Sequence, residues 1–243
     1  MSDTVDFRAA KPSNLFVVRW TLTLALPVLL LAACQLSIAI LLPEVLMYLV
    51  AVVLPFGAWL LIAFLQFRLL RSHFRRPHLW IVATLAGGIV GNVAAGFVQL
   101  QSQSAIDNAI MNGEDASAWA SSIYPYIPGF YAAIANAAIV SMAQIACLNS
   151  RMGERLPWFL VSAAGAMFGA CLGVVASHYA LQGMATARFF DFLSTPILFG
   201  LLPLLIAAVV NLTLYGLLTG ICMKKLLTRR ARLQRADLIE QFE

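Results

Sequence analysis

The chain has 243 residues, of which 61% are hydrophobic and 11% charged, and a formal net charge of +5. That balance lies far outside the range of soluble globular chains. It does not point to nucleic acid either, because no polar domain is left to carry a folded basic face.

Six apolar runs reach the roughly 20 residues that a helix needs to cross about 30 Å of hydrocarbon. They are 20–42, 45–69, 79–100, 127–148, 158–181 and 199–222. Each is continuously apolar rather than alternating, which predicts helices and not barrel strands. The expected fold is therefore an all-α, six-span membrane protein. It has an N-terminal segment 1–19, a membrane domain 20–222 and a basic tail 223–243.

Arg8, Lys11 and Arg19 precede the first span, which contains Leu31-Ala32-Ala33-Cys34. This resembles a lipoprotein cleavage box. Residues 35–42 stay apolar where a mature lipoprotein would begin with a polar tether, so an uncleaved span is expected. The turn after the second span holds Arg68, Arg71, Arg75 and Arg76, and in it His73 and His78 flank Phe74-Arg75-Arg76-Pro77. Two His among four Arg make a poor metal site. The third span carries Gly87, Gly91 and Ala95 at four-residue spacing, with Gly88, Asn92 and Gly96 beside them.

The connection 101–126 is polar, with Asp107, Glu114 and Asp115, and Ile106, Ile110 and Met111 predict a short helix lying on the bilayer surface. Arg151 and Arg155 follow the fourth span. The fifth has a longer stripe of Gly165, Gly169, Gly173 and Ser177. Small residues at every fourth position let another helix approach closely, and a contact between the third and fifth spans is expected. An interface between subunits is the alternative use of the same stripe. Phe189, Phe190 and Phe192 predict a second interfacial segment before the sixth span. Lys224, Lys225, Arg229, Arg230, Arg232 and Arg235 then follow, in a tail expected to continue the sixth helix.

Fifteen of the sixteen Lys and Arg residues thus fall in alternate gaps, and the other gaps hold Arg188 against five acidic residues. Retention of basic flanks on the cytoplasmic side predicts both termini inside, in a bacterial inner membrane. An internal repeat is also expected. At an offset of 78, Gln66, Leu70, Ser72, Trp80, Ala86, Gly87 and Gly91 recur as Gln144, Leu148, Ser150, Trp158, Ala164, Gly165 and Gly169. The unit is a helical hairpin with its Trp at the membrane interface, duplicated in parallel as spans two–three and four–five. The sixth and first spans would complete a pseudo-three-fold ring.

No Asp, Glu, Lys or Arg lies near a span centre, which disfavours proton coupling. The polar side chains inside are amides: Gln35, Gln66, Asn92, Asn136, Gln144 and Asn211. Gln66, Asn92, Gln144 and Asn211 are the candidates for a polar path between the repeats. No hydrolase, zincin, phosphate-loop or dinucleotide motif occurs, so no catalytic residue, cofactor or metal is expected. The four cysteines, without CxxC spacing, read as apolar packing residues. The expected function is a non-catalytic accessory, scaffold or assembly subunit in the lipid bilayer, with a membrane-protein partner or a second copy. The alternative is a small transporter or lipid-handling protein.

Overall fold

The computed structural model describes residues 12–41, 44–74, 76–113, 127–148, 153–186 and 196–240. Six helices make up nearly all of it: α1 (Phe16–Leu41), α2 (Glu44–Leu70), α3 (His78–Met111), α4 (Ile127–Ile145), α5 (Arg155–Thr186) and α6 (Pro196–Glu240). No strand occurs among the described residues. Segments His78–Met111, Ile127–Ile145, Arg155–Ala180 and Leu205–Leu233 are long and apolar enough to cross a membrane. Shorter apolar segments lie at Phe16–Leu31 and Phe56–Leu70.

The distribution of side chains matches a lipid solvent. Leu22, Leu26, Phe64, Val93, Phe97, Phe168 and Leu172 point outward and are exposed, while Gln66, Thr84, Ser141, Gln144, Ser162, Ser177 and Thr219 are buried. In water this inversion would leave a very large apolar surface uncovered. In a bilayer it costs nothing on the outside and leaves the polar groups free to bond one another inside. The chain is an integral membrane protein.

Each helix packs on its neighbours in sequence, and α6 returns to α1. The six helices therefore close a ring. Successive helices run in opposite directions, because the starts of α1, α3 and α5 meet the ends of α2 and α4 in one buried cluster. That cluster also holds Cys222, Met223, Leu226 and Leu227 of α6 and marks the arginine-rich end of the molecule.

Two expectations are corrected here. Residues 101–111 are not a separate surface helix but the last three turns of α3, whose 34 residues reach about 51 Å. No Gly or Pro interrupts Phe97–Met111, and Gln103 bonds Asp107 one turn on, so nothing stops the helix at the hydrocarbon edge. It stops at Asn112 and Gly113, whose φ of 98° is the left-handed conformation that ends helices. Trp80 and Trp158 do not face lipid either: they are 0% and 1% exposed, packed inside the bundle at its arginine-rich end. The tail does continue the sixth helix, to Glu240. Glu114, Asp115 and the aromatics Phe189, Phe190 and Phe192 lie outside the described residues.

Candidate functional site

The arginine-rich end of the ring is plugged by tryptophan. Trp20, Trp80 and Trp158, from the starts of α1, α3 and α5, meet edge to face with centroid separations of 6.0, 6.0 and 5.7 Å. Each such pair contributes about 0.5–1.5 kcal/mol beyond its buried area. Phe16 stacks on Trp20 and Phe74 tilts against Trp80. An indole N–H in this setting needs an acceptor, and two have one. Trp80 Nε1 donates to Gln66 Oε1 (2.9 Å) and Trp20 Nε1 to Thr219 Oγ1 (3.1 Å). Trp158 Nε1 has no partner.

Beyond the plug is a cavity of ≈ 280 Å³ to which all six helices contribute. Its polar lining includes Gln66, Thr84, Asn92, Asn136, Gln144, Asn211 and Thr219; its apolar lining includes Leu24, Ile62, Ala137 and Ala208. The lining contains no Asp, Glu, Lys, Arg or His. The four amides singled out in the sequence, on α2, α3, α4 and α6, thus meet around one space. They do not form a continuous hydrogen-bonded chain. Gln66 serves Trp80, Asn92 Oδ1 accepts from Asn136 Nδ2 (2.9 Å), and Gln144 Nε2 donates to Thr84 Oγ1 (3.0 Å).

The glycines shape the seams of this ring. Gly87 and Gly91 of α3 face α4, Gly88 faces Trp59 of α2, and Gly165, Gly169 and Gly173 of α5 face α6, so the two stripes do not meet one another as the spacing predicts. A Cβ on Gly87 would stand 2.9 Å from the Cα of Val140, and one on Gly91 would overlap the Oδ1 of Asn136. On α5, Gly165 lies against Tyr215 and Gly169 against Asn211, and a Cβ on Gly173 would stand 2.6 Å from the carbonyl oxygen of Ala207. Asn136 and Asn211 therefore occupy the notches that Gly91 and Gly169 leave open. Their Oδ1 atoms find no conventional donor there. The expected third–fifth contact gives way because antiparallel neighbours in sequence are adjacent in the ring, and the stripes are spent on those neighbours.

Sequence reading did not find three participants. Trp20, Tyr215 and Thr219 line the cavity, yet nothing distinguishes a span's own Trp, Tyr or Thr from ordinary membrane composition. Glu154 is a further residue that no sequence pattern marks. It is buried beside the start of α5 and forms a two-pronged salt bridge with Arg230 of α6, whose guanidinium also sits 4.5 Å over the Phe74 ring. This clamp ties the tail of α6 to the outside of the plug. His73 in the α2–α3 turn lies edge-on to Phe16, and burial pushes its pKa below the ordinary histidine value, against a smaller opposing effect of a backbone hydrogen bond at Leu69.

No group of three or more His, Cys, Asp or Glu suited to a metal ion occurs among the described residues. The cavity lining can hold a molecule by shape and hydrogen bonds. Comparison with protein-family models, with curated proteins and with solved structures gave no match.

Proposed function

We propose that this chain crosses a bacterial inner membrane six times with both ends cytoplasmic, and acts as a small carrier or lipid-handling protein whose cargo sits in the central cavity. The observation that carries this reading is the single space lined by all six helices, with amides and tryptophans facing it and no ionised group. Concave, mostly apolar sites with a few placed polar groups are how small molecules are held. The same observations weigh against the accessory-subunit reading. The glycine stripes, whose alternative use was an interface between subunits, are occupied within the chain.

The duplication belongs to this proposal. An offset of 78 carries Trp80, Gly87 and Gly91 onto Trp158, Gly165 and Gly169, and an offset of 75 carries Asn136, Val140 and Gln144 onto Asn211, Tyr215 and Thr219. Contacts follow the same offsets: Val140 on Gly87 and Tyr215 on Gly165, Asn136 on Gly91 and Asn211 on Gly169. With Trp20 standing where Trp80 and Trp158 stand, hairpins α2–α3, α4–α5 and α6–α1 are three copies of one unit around the cavity. A repeat about an axis along the membrane normal is a known way to build a central path.

The test is native mass spectrometry of the protein released from its own membrane in mild detergent. A small molecule should remain bound to the wild type and be lost from Ala137→Phe, which fills the cavity from α4. An equimolar protein partner with no retained small molecule would overturn the carrier reading in favour of the accessory one.

A further inference from the structure

The three tryptophans differ in one respect, and the difference falls on the cavity. Trp80 and Trp20 each donate to a residue on the preceding helix of their own hairpin, Gln66 and Thr219. The corresponding acceptor for Trp158 is Gln144, since the 78-residue offset carries Gln66 onto Gln144 as it carries Trp80 onto Trp158. That bond is not made. Gln144 instead donates across the α3–α4 seam to Thr84, leaving its own Oε1 without a donor and Trp158 Nε1 without an acceptor. Both residues are nearly inaccessible, at 3% and 1% exposed, and both line the cavity.

A buried polar atom with no partner costs about 1–3 kcal/mol. Here an orphaned donor and an orphaned acceptor border the same space. The remaining lining is largely aliphatic and aromatic, including Leu24, Val28, Ile62, Val140 and Ala166. A carboxylate or ammonium would find no counter-charge in it. A pure hydrocarbon would leave both orphaned atoms unsatisfied.

Resting on the cavity-binding reading above, we propose that the ligand is a small uncharged amphiphile with a hydroxyl group. The hydroxyl oxygen accepts from Trp158 Nε1 and its proton is donated to Gln144 Oε1, while the apolar body fills the space toward Ala137 and Ala208. A cavity of about 150 Å³ accommodates benzene. The ≈ 280 Å³ found here suits a medium-chain alcohol or a two-ring phenol.

Three photoreactive probes of one shape decide the matter: a diazirine-bearing octanol, the matching octane and the matching octylammonium. They are applied to the full chain in lipid nanodiscs, and insertion sites are mapped by mass spectrometry. The octanol should label cavity residues saturably, at roughly tenfold lower concentration than the octane or the ammonium, as expected for one good buried hydrogen bond. Gln144→Leu, or Trp158→Phe if the former does not fold, should bring octanol labelling down to the octane level. Ala137→Phe should abolish it. Equal labelling by octanol and octane would overturn the hydroxyl proposal, the two orphaned atoms then being served by water, and would leave cavity binding intact. Preferential labelling by the ammonium would overturn it through charge. No saturable cavity labelling by any probe would overturn the cavity-binding reading as well.

Discussion

At Gly91 an added methyl group meets chiefly the side chain of Asn136, whose backbone oxygen is farther away at 3.2 Å; at Gly169 it meets the backbone oxygen of Asn211 at 2.6 Å as well as its side chain. The two seams should therefore fail differently. Gly91→Ala and Gly169→Ala should each destabilise the bundle by about 1–3 kcal/mol, the usual cost of forcing a methyl into a packed contact. Adding Asn136→Ala should restore much of the stability lost at Gly91. Adding Asn211→Ala should restore little at Gly169, because the backbone oxygen stays where it is. Thermal melting of the four proteins in one detergent checks both halves. Rescue at both seams, or at neither, would show that the asymmetry between them is wrong. These contacts were only half legible in the sequence. Four-residue glycine spacing showed that a helix must approach, but a repeating stripe has no feature that names its partner. Nor did the sequence pair Asn136 with Gly91, since an amide in a span reads equally well as a lining group or an interhelical bond.

The helices were the most legible level, because continuous apolar runs leave helix as the way to satisfy the backbone in lipid. Their ends were less so. Hydropathy fell after Leu100, yet α3 continued to Met111 because helix termination depends on local stop residues rather than polarity. The Trp positions were misread as headgroup anchors, since an amphipathic ring near a basic turn suits that role as well as a buried plug. The proposed topology gives the α3 extension a definite test. In a protein whose four native cysteines are replaced, Ser104→Cys should react with a membrane-impermeant maleimide from the outer side. Ser72→Cys in the α2–α3 turn should react only once the membrane is opened. Reversed labelling would invert the topology, and protection of Ser104→Cys on both sides would place the last turns of α3 in lipid. The same turn holds His73. Its pKa is lowered, so the folded state favours the neutral ring, and the associated stability is fully present above about pH 6.5 and declines as pH falls below it toward the folded value. Melting temperature should fall from pH 7.5 to 5.0, and His73→Gln should reduce that fall. An identical fall in the variant would assign the pH sensitivity to other groups.

The whole molecule has polar groups inside, apolar groups outside and a ring that closes only when α6 meets α1. The Glu154–Arg230 clamp and the aromatic plug hold one end of that ring, joining segments up to about 200 positions apart in the chain, a separation at which sequence patterns carry no signal. Everything assigned to the cavity depends on that closure being made within one chain rather than between copies. Thr21 of α1 and Gly216 of α6 are the residues to use, because a Cβ on Gly216 would stand 3.0 Å from the Cα of Thr21. The decisive measurement is oxidative cross-linking of a Thr21→Cys, Gly216→Cys protein in membranes, in a background without the native cysteines, with the products mapped by mass spectrometry. A disulfide within a single chain is the predicted result, since adjacent Cβ atoms on facing helices are the main requirement for one. A disulfide found only between two chains would mean that the first and last helices do not close the ring within one chain.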